Sequence, residues 1–456
     1  MTTTEKIKTE DKFAVAFEGL RGQLPGGAFV QELRQKAMNA FLKQGIPGRK
    51  NEEYKYSPAE KIIHENLSVE LVPLATRLGL KESAEYKKDC AALIPGLNPN
   101  TIVLFNGSFR KELSQLDTLP DGVIVEDLFT AFENKESLVR KFFASSIAIE
   151  SDPFAALNTA LCSGGVFIYV PANCVVERPL HLIHTIVSTS STLIQPRNLI
   201  VLEKGASLKL VESFDQGDSK SSVLNSVTEV FIDERAVMQY YKLQNNFDTG
   251  CQINLMQVKQ QANSHFDTNT VTLNGKWIRN NLNIVVDAEN CETHLNGLFI
   301  SGESQHVDNH TLVDHQKPNC ESNQLYKGIL EDKSTGVFNG KIYVRKDAQK
   351  INAYQSSKNI LLSDDATINT KPQLEIYAND VKCSHGSSTG RLDEEALFYL
   401  RSRGLGEESA RRLLLNAFAS DAINTIRIDA LRNYVNELIE KRLTTDNSDS
   451  SKEDNI

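Results

Sequence analysis

Residues 202–208 read Leu-Glu-Lys-Gly-Ala-Ser-Leu, and residues 232–238 read Ile-Asp-Glu-Arg-Ala-Val-Met. Related segments follow at 344–350, Val-Arg-Lys-Asp-Ala-Gln-Lys, and at 362–368, Leu-Ser-Asp-Asp-Ala-Thr-Ile. Each copy ends an apolar run, crosses a short polar turn that holds a small residue, and begins another extended segment. The spacing between copies varies, so the repeat is degenerate. This pattern is typical of a solenoid, in which each turn of chain stacks on the previous one.

The surrounding region, from Gly165 to about Tyr377, is rich in short β-type runs and has no long amphipathic helix. The clearest runs are Val166–Val170, Leu199–Leu202, Val227–Ile232, Asn283–Val286, Lys341–Val344 and Ile360–Leu362. About 210 residues of strand without crossover helices exclude a doubly wound α/β fold. A sandwich, barrel or propeller stays an alternative, but the repeat favours a mainly β solenoid, which we place at residues 165–380.

Both flanking segments have helical patterns. We predict a mainly helical domain with short strands at residues 1–164, where Phe29, Leu33 and Phe41 mark one amphipathic helix. A helical domain is predicted at 381–443, followed by a polar, disordered tail at 444–456. Since the terminal turns of a solenoid expose unpaired backbone, the flanking helices are expected to cap its ends. The C-terminal unit could instead present a surface to a partner.

The composition narrows the class of protein. Hydrophobic residues make up 40% of the chain, and the net charge of −9 argues against a nucleic-acid partner. No apolar run reaches the roughly 18 residues of a membrane span, and no signal core is visible at the start, so we expect a cytoplasmic protein. The seven cysteines are scattered and form no C-x-x-C, which argues against a disulfide framework or a zinc ribbon.

Cys383 and His385 form the sharpest candidate site. In an extended strand they lie on the same face, and a thiolate with an imidazole suits iron, zinc, copper or an iron–sulfur cluster. Two ligands are too few for a stable site, because structural zinc normally takes four. On these residues alone, a buried cysteine beside a hydrogen-bonded histidine is the favoured interpretation.

A second group holds His306, His310, His315 and Cys320, whose spacings fit no standard metal site. We interpret them as hydrogen-bonded polar residues on turns. The common enzyme motifs, among them phosphate-binding loops, nucleophile elbows and H-E-x-x-H, are absent from the sequence. Asp364-Asp365 could mimic a carboxylate pair, but neighbouring strand residues face opposite ways, so a turn is favoured.

Several motifs closely resemble the SufB/SufD family, scaffold subunits of the SUF iron–sulfur cluster assembly machinery. They are Gly48–Tyr56, Tyr326–Leu330, Val337–Ile342, Gln355–Ser363, Lys371–Asp380 and Val381–Gly404. Cys383-Ser384-His385-Gly386 with Leu397–Arg403 resembles SufD members more than SufB members. Two departures are Tyr54, where tryptophan is frequent, and Ser387-Ser388, where the family often has Ala-Thr.

The resemblance implies a right-handed parallel β-helix and a non-enzymatic scaffold. It implies pairing with a SufB-like paralogue through the β-helix, while a homodimer of isolated chains stays open. By motif match, His385 and Cys383 would lie at that interface, with His385 as a candidate ligand for iron or a transient cluster and the partner supplying the other ligands. A reduced flavin is associated with such complexes, at a site that the sequence does not locate.

The resemblance also implies that the C-terminal helices bind a SufC-like ABC ATPase. Its docking region would include Asp393, Leu397, Phe398, Tyr399, Arg401, Arg403, Leu414 and Phe418. Two other hypotheses remain: a SufB-like subunit that builds the cluster itself, and a solenoid enzyme acting on a polysaccharide. The second would need a groove of carboxylates and aromatic residues, yet Trp277 is the single tryptophan.

Overall fold

The computed structural model describes residues 9–66, 70–71, 93–187, 192–216, 222–246 and 249–445. Its α-helices there are α1 Thr9–Leu20, α2 Ala28–Gln44, α3 Ala59–Asn66, α4 Leu128–Asn134, α5 Glu136–Phe142, α6 Pro153–Leu161, α7 Glu394–Ser402, α8 Glu407–Ile423 and α9 Asp429–Thr445. Among these helices, none combines the length and the apolarity of a membrane span. The predicted disordered tail at 444–456 lies outside the described residues, apart from the end of α9.

The strands occupy most of the middle of the chain. They are β1 Glu70–Leu71, β2 Asn100–Phe105, β3 Ser108–Phe109, β4 Ile124–Asp127, β5 Val166–Val170, β6 Leu180–Ile186, β7 Thr192–Ile194, β8 Arg197–Leu202, β9 Ser207–Gln216, β10 Ser222–Ile232, β11 Val237–Asn246, β12 Cys251–Gln260, β13 His265–Thr272, β14 Trp277–Val286, β15 Glu292–Ser301, β16 His306–His315, β17 Glu321–Leu330, β18 Thr335–Val344, β19 Ile351–Leu361, β20 Thr367–Ile376 and β21 Val381–Gly390.

These strands form two sheets that face each other. Sheet A has the order β20-β18-β16-β14-β12-β10-β8-β5-β4, and sheet B has the order β21-β19-β17-β15-β13-β11-β9-β6-β2-β3. From β8 onward, neighbours within each sheet are parallel and successive strands alternate between the sheets. The predicted parallel β-solenoid is therefore confirmed, with about seven turns, and the sandwich is excluded.

The repeated segments form corners of the solenoid. At 202–208, 232–238 and 344–350 the chain passes from sheet A to sheet B, whereas at 362–368 it returns from sheet B to sheet A. The small residues Ala206, Ala236 and Ala348 are completely buried, because they point into the narrow interior. Gly205 and Arg235 stand at corresponding corner positions and both have left-handed backbone, with φ of 69° and 58°.

Most predicted β-runs proved to be only the second halves of longer strands. The run Val166–Val170 matches β5, but Asn283–Val286 is the end of the ten-residue strand β14. The first half of β14 includes Arg279, which is buried and lies with Nη1 2.6 Å from Asp308 Oδ2. This half of β14 is polar and was not recognised as a strand, because the charge of Arg279 is paired with Asp308 on the next turn and is not exposed to water.

The N-terminal helices cover the outer face of sheet A. Phe41 on α2 and Leu157 on α6 belong to one apolar cluster with Val227, Ile253 and Trp277, which project outward from the sheet. The helices α4 and α5 cover the same sheet nearer its first turns. This end of the solenoid, here called the closed end, finishes in short strands that leave little edge: the four-residue β4 is antiparallel to β5 in sheet A, and the two-residue β3 is antiparallel to β2 in sheet B.

The C-terminal helices cover the outer face of sheet B. Ala419 and Ile423 on α8 pack in a cluster with Leu298 and Ile329. Lys327 on β17 donates to the Phe418 carbonyl at 2.7 Å and pairs with Asp421 Oδ2 at 2.5 Å. The expectation that the flanking helices cap the ends of the solenoid is therefore wrong. Their apolar faces pack against apolar residues on the outer faces of the two sheets.

The junction near residue 390 also differs from the prediction. Residues Val381–Gly390 form β21, so the predicted start of the C-terminal helical domain at 381 is too early. Gly386 and Gly390 lie in this strand and not in turns. The helical part begins where Asp393 caps α7 by accepting from the N–H groups of Glu395 and Ala396.

Candidate functional site

The C-terminal end of the solenoid is open. β20 and β21 are the last strands of sheets A and B, and no described strand pairs with their outer edges. Residues 384–390 of β21 are all exposed. An unpaired strand presents a row of free backbone donors and acceptors to another chain.

Cys383 and His385 lie on this open edge. They pair in register with Ala353 and Gln355 of β19. Cys383 packs against the interior cluster, and Ser387 hydrogen-bonds to Thr370 of β20 at 2.9 Å between the two hydroxyl oxygens. Since alternate residues share a face, His385 faces the same open interior.

The two side chains differ in their surroundings. Cys383 is half-buried, and this burial raises the pKa of its thiol, opposed in part by the Ala353 N–H. His385 is exposed to solvent. The structure therefore places a half-buried thiol, whose raised pKa favours the protonated form, two residues before an accessible imidazole on the same strand.

No third ligand from the described part of this chain completes a site around the pair. Among the described residues, histidine, cysteine and carboxylate groups gather closely in threes only at His265, Asp267 and His294, on another strand pair. The shortage of ligands expected from the sequence thus holds within the described residues.

The second predicted group does not form one site. His306 stacks on Trp277 with ring centroids 5.8 Å apart, whereas His310 contacts Asp308, with Nε2 3.0 Å from Oδ1. His315 faces the interior and hydrogen-bonds to Ser322 at 2.9 Å. All three histidines are hydrogen-bonded or paired, but the predicted turn location is wrong because they lie along β16.

Cys320 is separate from these histidines. It is buried, and its thiol contacts the Ala288 carbonyl, with Sγ 3.3 Å from the oxygen. It lies one turn from Cys291, since the following residues Glu292 and Glu321 pair in register. Cys320 is therefore a corner residue of the solenoid interior and joins no histidine site.

The predicted docking residues divide between two faces of the C-terminal helices. Phe398 and Tyr399 are 73% and 57% exposed, whereas Leu397 is buried. Leu414 and Phe418 pack toward sheet B, and Lys327 lies 4.5 Å from the Phe418 ring centroid. Of the cations, Arg401 pairs with Glu407 at 3.2 Å and Arg403 lies over the Tyr399 ring.

Sequence reasoning missed two exposed apolar residues, Leu405 and Leu413, which are 39% and 50% exposed. Leu413 precedes the inward-facing Leu414, and only the packing of α8 separates their roles. It also missed the group at His265, Asp267 and His294. The alternating sequences His265-Phe266-Asp267 and Glu292-Thr293-His294 each put two polar side chains on one face of a strand. Only the register between the two strands shows that these side chains lie together.

Comparison with known families accounts for most of the chain. Residues 184–418 match the family model described as the SUF system FeS cluster assembly, SufBD core domain. Residues 18–182 match the SufBD protein N-terminal region. The chain belongs to the SufBD family. Its family places it in iron–sulfur cluster assembly, as the motifs predict.

Individual SufBD relatives resemble the chain over nearly its full length. The iron–sulfur cluster assembly protein SufD of Escherichia coli is 29% identical over 414 residues, which cover 90% of this chain and 92% of the relative. SufD of Bacillus subtilis is 27% identical over 452 residues, covering 97% of this chain and all of the relative. A SufBD family protein of Synechocystis is 29% identical over 421 residues, covering 90% of both.

Proposed function

We propose that this SufBD chain is a non-enzymatic scaffold that pairs through its open end with a SufB-like paralogue and holds iron or a nascent iron–sulfur cluster between them. The observation that carries the proposal is the position of Cys383 and His385 on the unpaired edge strand β21. A second solenoid on this edge would satisfy the free backbone and bring further ligands to the pair.

The chemistry of the pair suits this cargo. Thiolate sulfur and imidazole nitrogen are the ligands that iron and its sulfide clusters take in proteins. Because His385 is exposed, its imidazole can reach a metal held by the partner without rearranging the solenoid. Burial of Cys383 favours the neutral thiol, so metal binding there would have to displace a proton.

The proposal assigns a second interface to the C-terminal helices, which would bind a SufC-like ABC ATPase. Phe398 and Tyr399 on α7, Leu405 in the turn that follows, and Leu413 on α8 are between 39% and 73% exposed and present apolar surface to solvent. Aromatic residues are frequent anchors of protein interfaces. The ATPase would supply the energy of ATP hydrolysis, and the chain would transmit it to the open end.

The metal-site part of the proposal is tested with His385→Ala in a complex reconstituted with the SufB-like and SufC-like partners. We expect the yield of assembled cluster to fall while the melting temperature of the isolated chain stays unchanged, because the side chain is exposed. Ser384→Ala is the matched control, since it alters the neighbouring residue on the other face of β21. An unchanged cluster yield with His385→Ala would remove this histidine from the site.

The docking part is tested separately with Phe398→Ala. We expect weaker binding of the ATPase subunit in a pull-down or calorimetric titration, with retained pairing through the open end. Val15→Ala is a matched control, because Val15 on α1 is also 73% exposed and apolar. If Phe398→Ala binds the ATPase with parental affinity, the docking surface is wrong while the open-end proposal stands.

A further inference from the structure

Three side chains of types that commonly bind metals converge on the outer face of sheet B, away from the open end. β13 supplies His265 and Asp267, and β15 supplies His294, which pairs in register with Asp267. Asp267 Oδ1 lies 2.8 Å from His265 Nε2 and 2.9 Å from His294 Nδ1. One donor atom from each residue lies within 4.8 Å of the other two.

We propose that His265, Asp267 and His294 form a binding site for a divalent first-row transition-metal ion such as Zn²⁺ or Fe²⁺. Two imidazoles with one carboxylate suit these ions better than Mg²⁺ or Ca²⁺, which prefer oxygen ligands. Ligands at about 2.0–2.1 Å around a tetrahedral ion lie about 3.3 Å apart. To admit an ion, the carboxylate oxygen needs to move about 0.5 Å away from each nitrogen, and the two nitrogens, which lie within 4.8 Å of each other, need to approach by up to about 1.5 Å.

The strands hold these donors in place. His265 and Asp267 are two residues apart on one strand, and His294 lies directly opposite on the next, so the backbone fixes their spacing. Glu292 Oε2 lies 3.1 Å from His265 Nδ1, which leaves the other ring nitrogen directed at Asp267. Such an outer carboxylate orients a metal-binding imidazole and increases its basicity.

The site has room for further ligands. Asp267 and His294 line a cavity of about 300 Å³ between sheet B and the loop that joins α8 to α9. Water in this cavity could complete the coordination of an ion. From the loop, Arg427 Nη2 lies 3.5 Å from Asp267 Oδ2. This guanidinium competes with a cation for the carboxylate, so an ion would displace it.

The site is independent of the function proposed above. β13 and β21 are four strand positions apart in sheet B, or about 19 Å at the usual spacing. Metal binding can therefore be measured in a chain whose open end carries Cys383→Ser and His385→Ala. Loss of one site in that background says nothing about the other.

The test is a calorimetric titration with Zn²⁺ in this background, repeated anaerobically with Fe²⁺ and followed by absorption with Co²⁺. We expect His294→Gln to lower affinity by at least about 100-fold, since losing an outer-shell partner alone costs about 10- to 100-fold. Glu292→Gln should weaken binding by about 10-fold through the orientation of His265. Arg427→Ala should strengthen it by up to about five-fold, the scale of an exposed ion pair.

Asn296→Ala is the matched control, because Asn296 lines the same cavity without joining the three donors. It should leave the affinity unchanged. Failure of the parent to bind any of the three ions would overturn the site, as would binding that is indifferent to His294→Gln. Because Arg427 is exposed, Arg427→Ala should fold normally and tests the site even if a histidine variant folds poorly. If Arg427→Ala leaves the metal affinity unchanged, a metal at Asp267 is contradicted.

Discussion

The two ends of the solenoid finish their sheets in different ways. At the first end, antiparallel strands β3 and β4 complete the sheets, and the fully buried pair Arg197–Glu229 lies beneath α6, with Nη2 2.6 Å from Oε1. At the last end, β20 and β21 have free edges, and the ion pair there, Arg391–Asp364, is 75% and 81% exposed.

We interpret this difference as a division of roles, in which one end contributes to the stability of the fold and the other to association with another chain. Parallel edges are hazards that natural proteins usually cover or interrupt. Short antiparallel strands cover the first end of the solenoid, whereas the long parallel strands at the last end have no such cover among the described residues. Under the proposed function, the open end, with its exposed polar strand, is where another chain adds to the fold, and we expect the closed end to contribute more to stability.

The strongest test of this comparison removes a cation from each end. Arg197→Met should cost about 3–5 kcal/mol of unfolding free energy, because Glu229 is left as a buried and unpaired charge. Arg391→Met, its counterpart at the open end, should change stability by less than about 0.5 kcal/mol. Urea unfolding of both variants measures the contrast. Equal effects would contradict the assignment of stability to the closed end.

Two buried histidines give the next effect, as a dependence of stability on pH. Burial lowers the pKa of His181, on β6 near the closed end, and of His315, on β16, to about 4. The unfolded chain, with an ordinary pKa of about 6.5, binds protons first, so stability should fall as the pH drops from about 6.5 to 4. Each histidine should account for about 2 kcal/mol at pH 5.

His181→Gln and His315→Gln should each flatten this dependence, as measured by unfolding at several pH values. If both flatten a single transition, the two regions unfold together. If His315→Gln changes only the first part of the transition, the turns toward the open end unfold first, which would sharpen the comparison. A slope that neither variant changes would contradict the assignment.

A smaller effect is expected where the C-terminal helices meet the sheet. Lys327→Met should cost about 2 kcal/mol, because the Phe418 carbonyl and Asp421 lose a charged donor. Lys358 occupies the same register position one turn nearer the open end and is exposed, so Lys358→Met should have little effect. Hydrogen exchange of α8 measures both. Equal protection in the two variants would show that Lys327 does not hold this helix.

The smallest effect on stability is expected at the open end. Ser387→Lys places a charge on the interior-facing side of β21, and Ser384→Lys places one on the outer side. Both should change the unfolding free energy of the isolated chain by less than about 0.5 kcal/mol. Under the proposed function, only Ser387→Lys should prevent pairing with the SufB-like partner, as size-exclusion chromatography with light scattering would show. Intact pairing would move the interface away from this edge.

The sequence predicted the solenoid because its corners carry a local signal. A polar turn with a buried alanine is visible at 202–208 without knowledge of any distant contact. The strands leading into those corners were harder to predict. Arg279 reads as a loop residue until Asp308, one turn later, is known to lie beside it.

The position of the helices and the second metal-binding group could not be predicted for a similar reason. The sequence of an amphipathic helix shows that one face must be buried, but not which surface of the protein it packs against. To predict from sequence that Asp267 lies opposite His294, one must know how many residues that turn of the solenoid contains. The register is 27 positions there and 32 between Asn339 and Lys371, so no fixed period gives it. Cys383 and His385 were predicted as a pair because both lie on one strand.

The attachment of α8 to β17 has a mechanical consequence. β17, β19 and β21 are consecutive strands of sheet B, so the edge lies two strand spacings, about 10 Å, from the point where Lys327 holds the helix. Backbone hydrogen bonds join these strands along ten residues, so we expect them to move as one stiff plate. Under the proposed function, sheet B then acts as a short lever: a tilt applied to the helices becomes a displacement of the free edge.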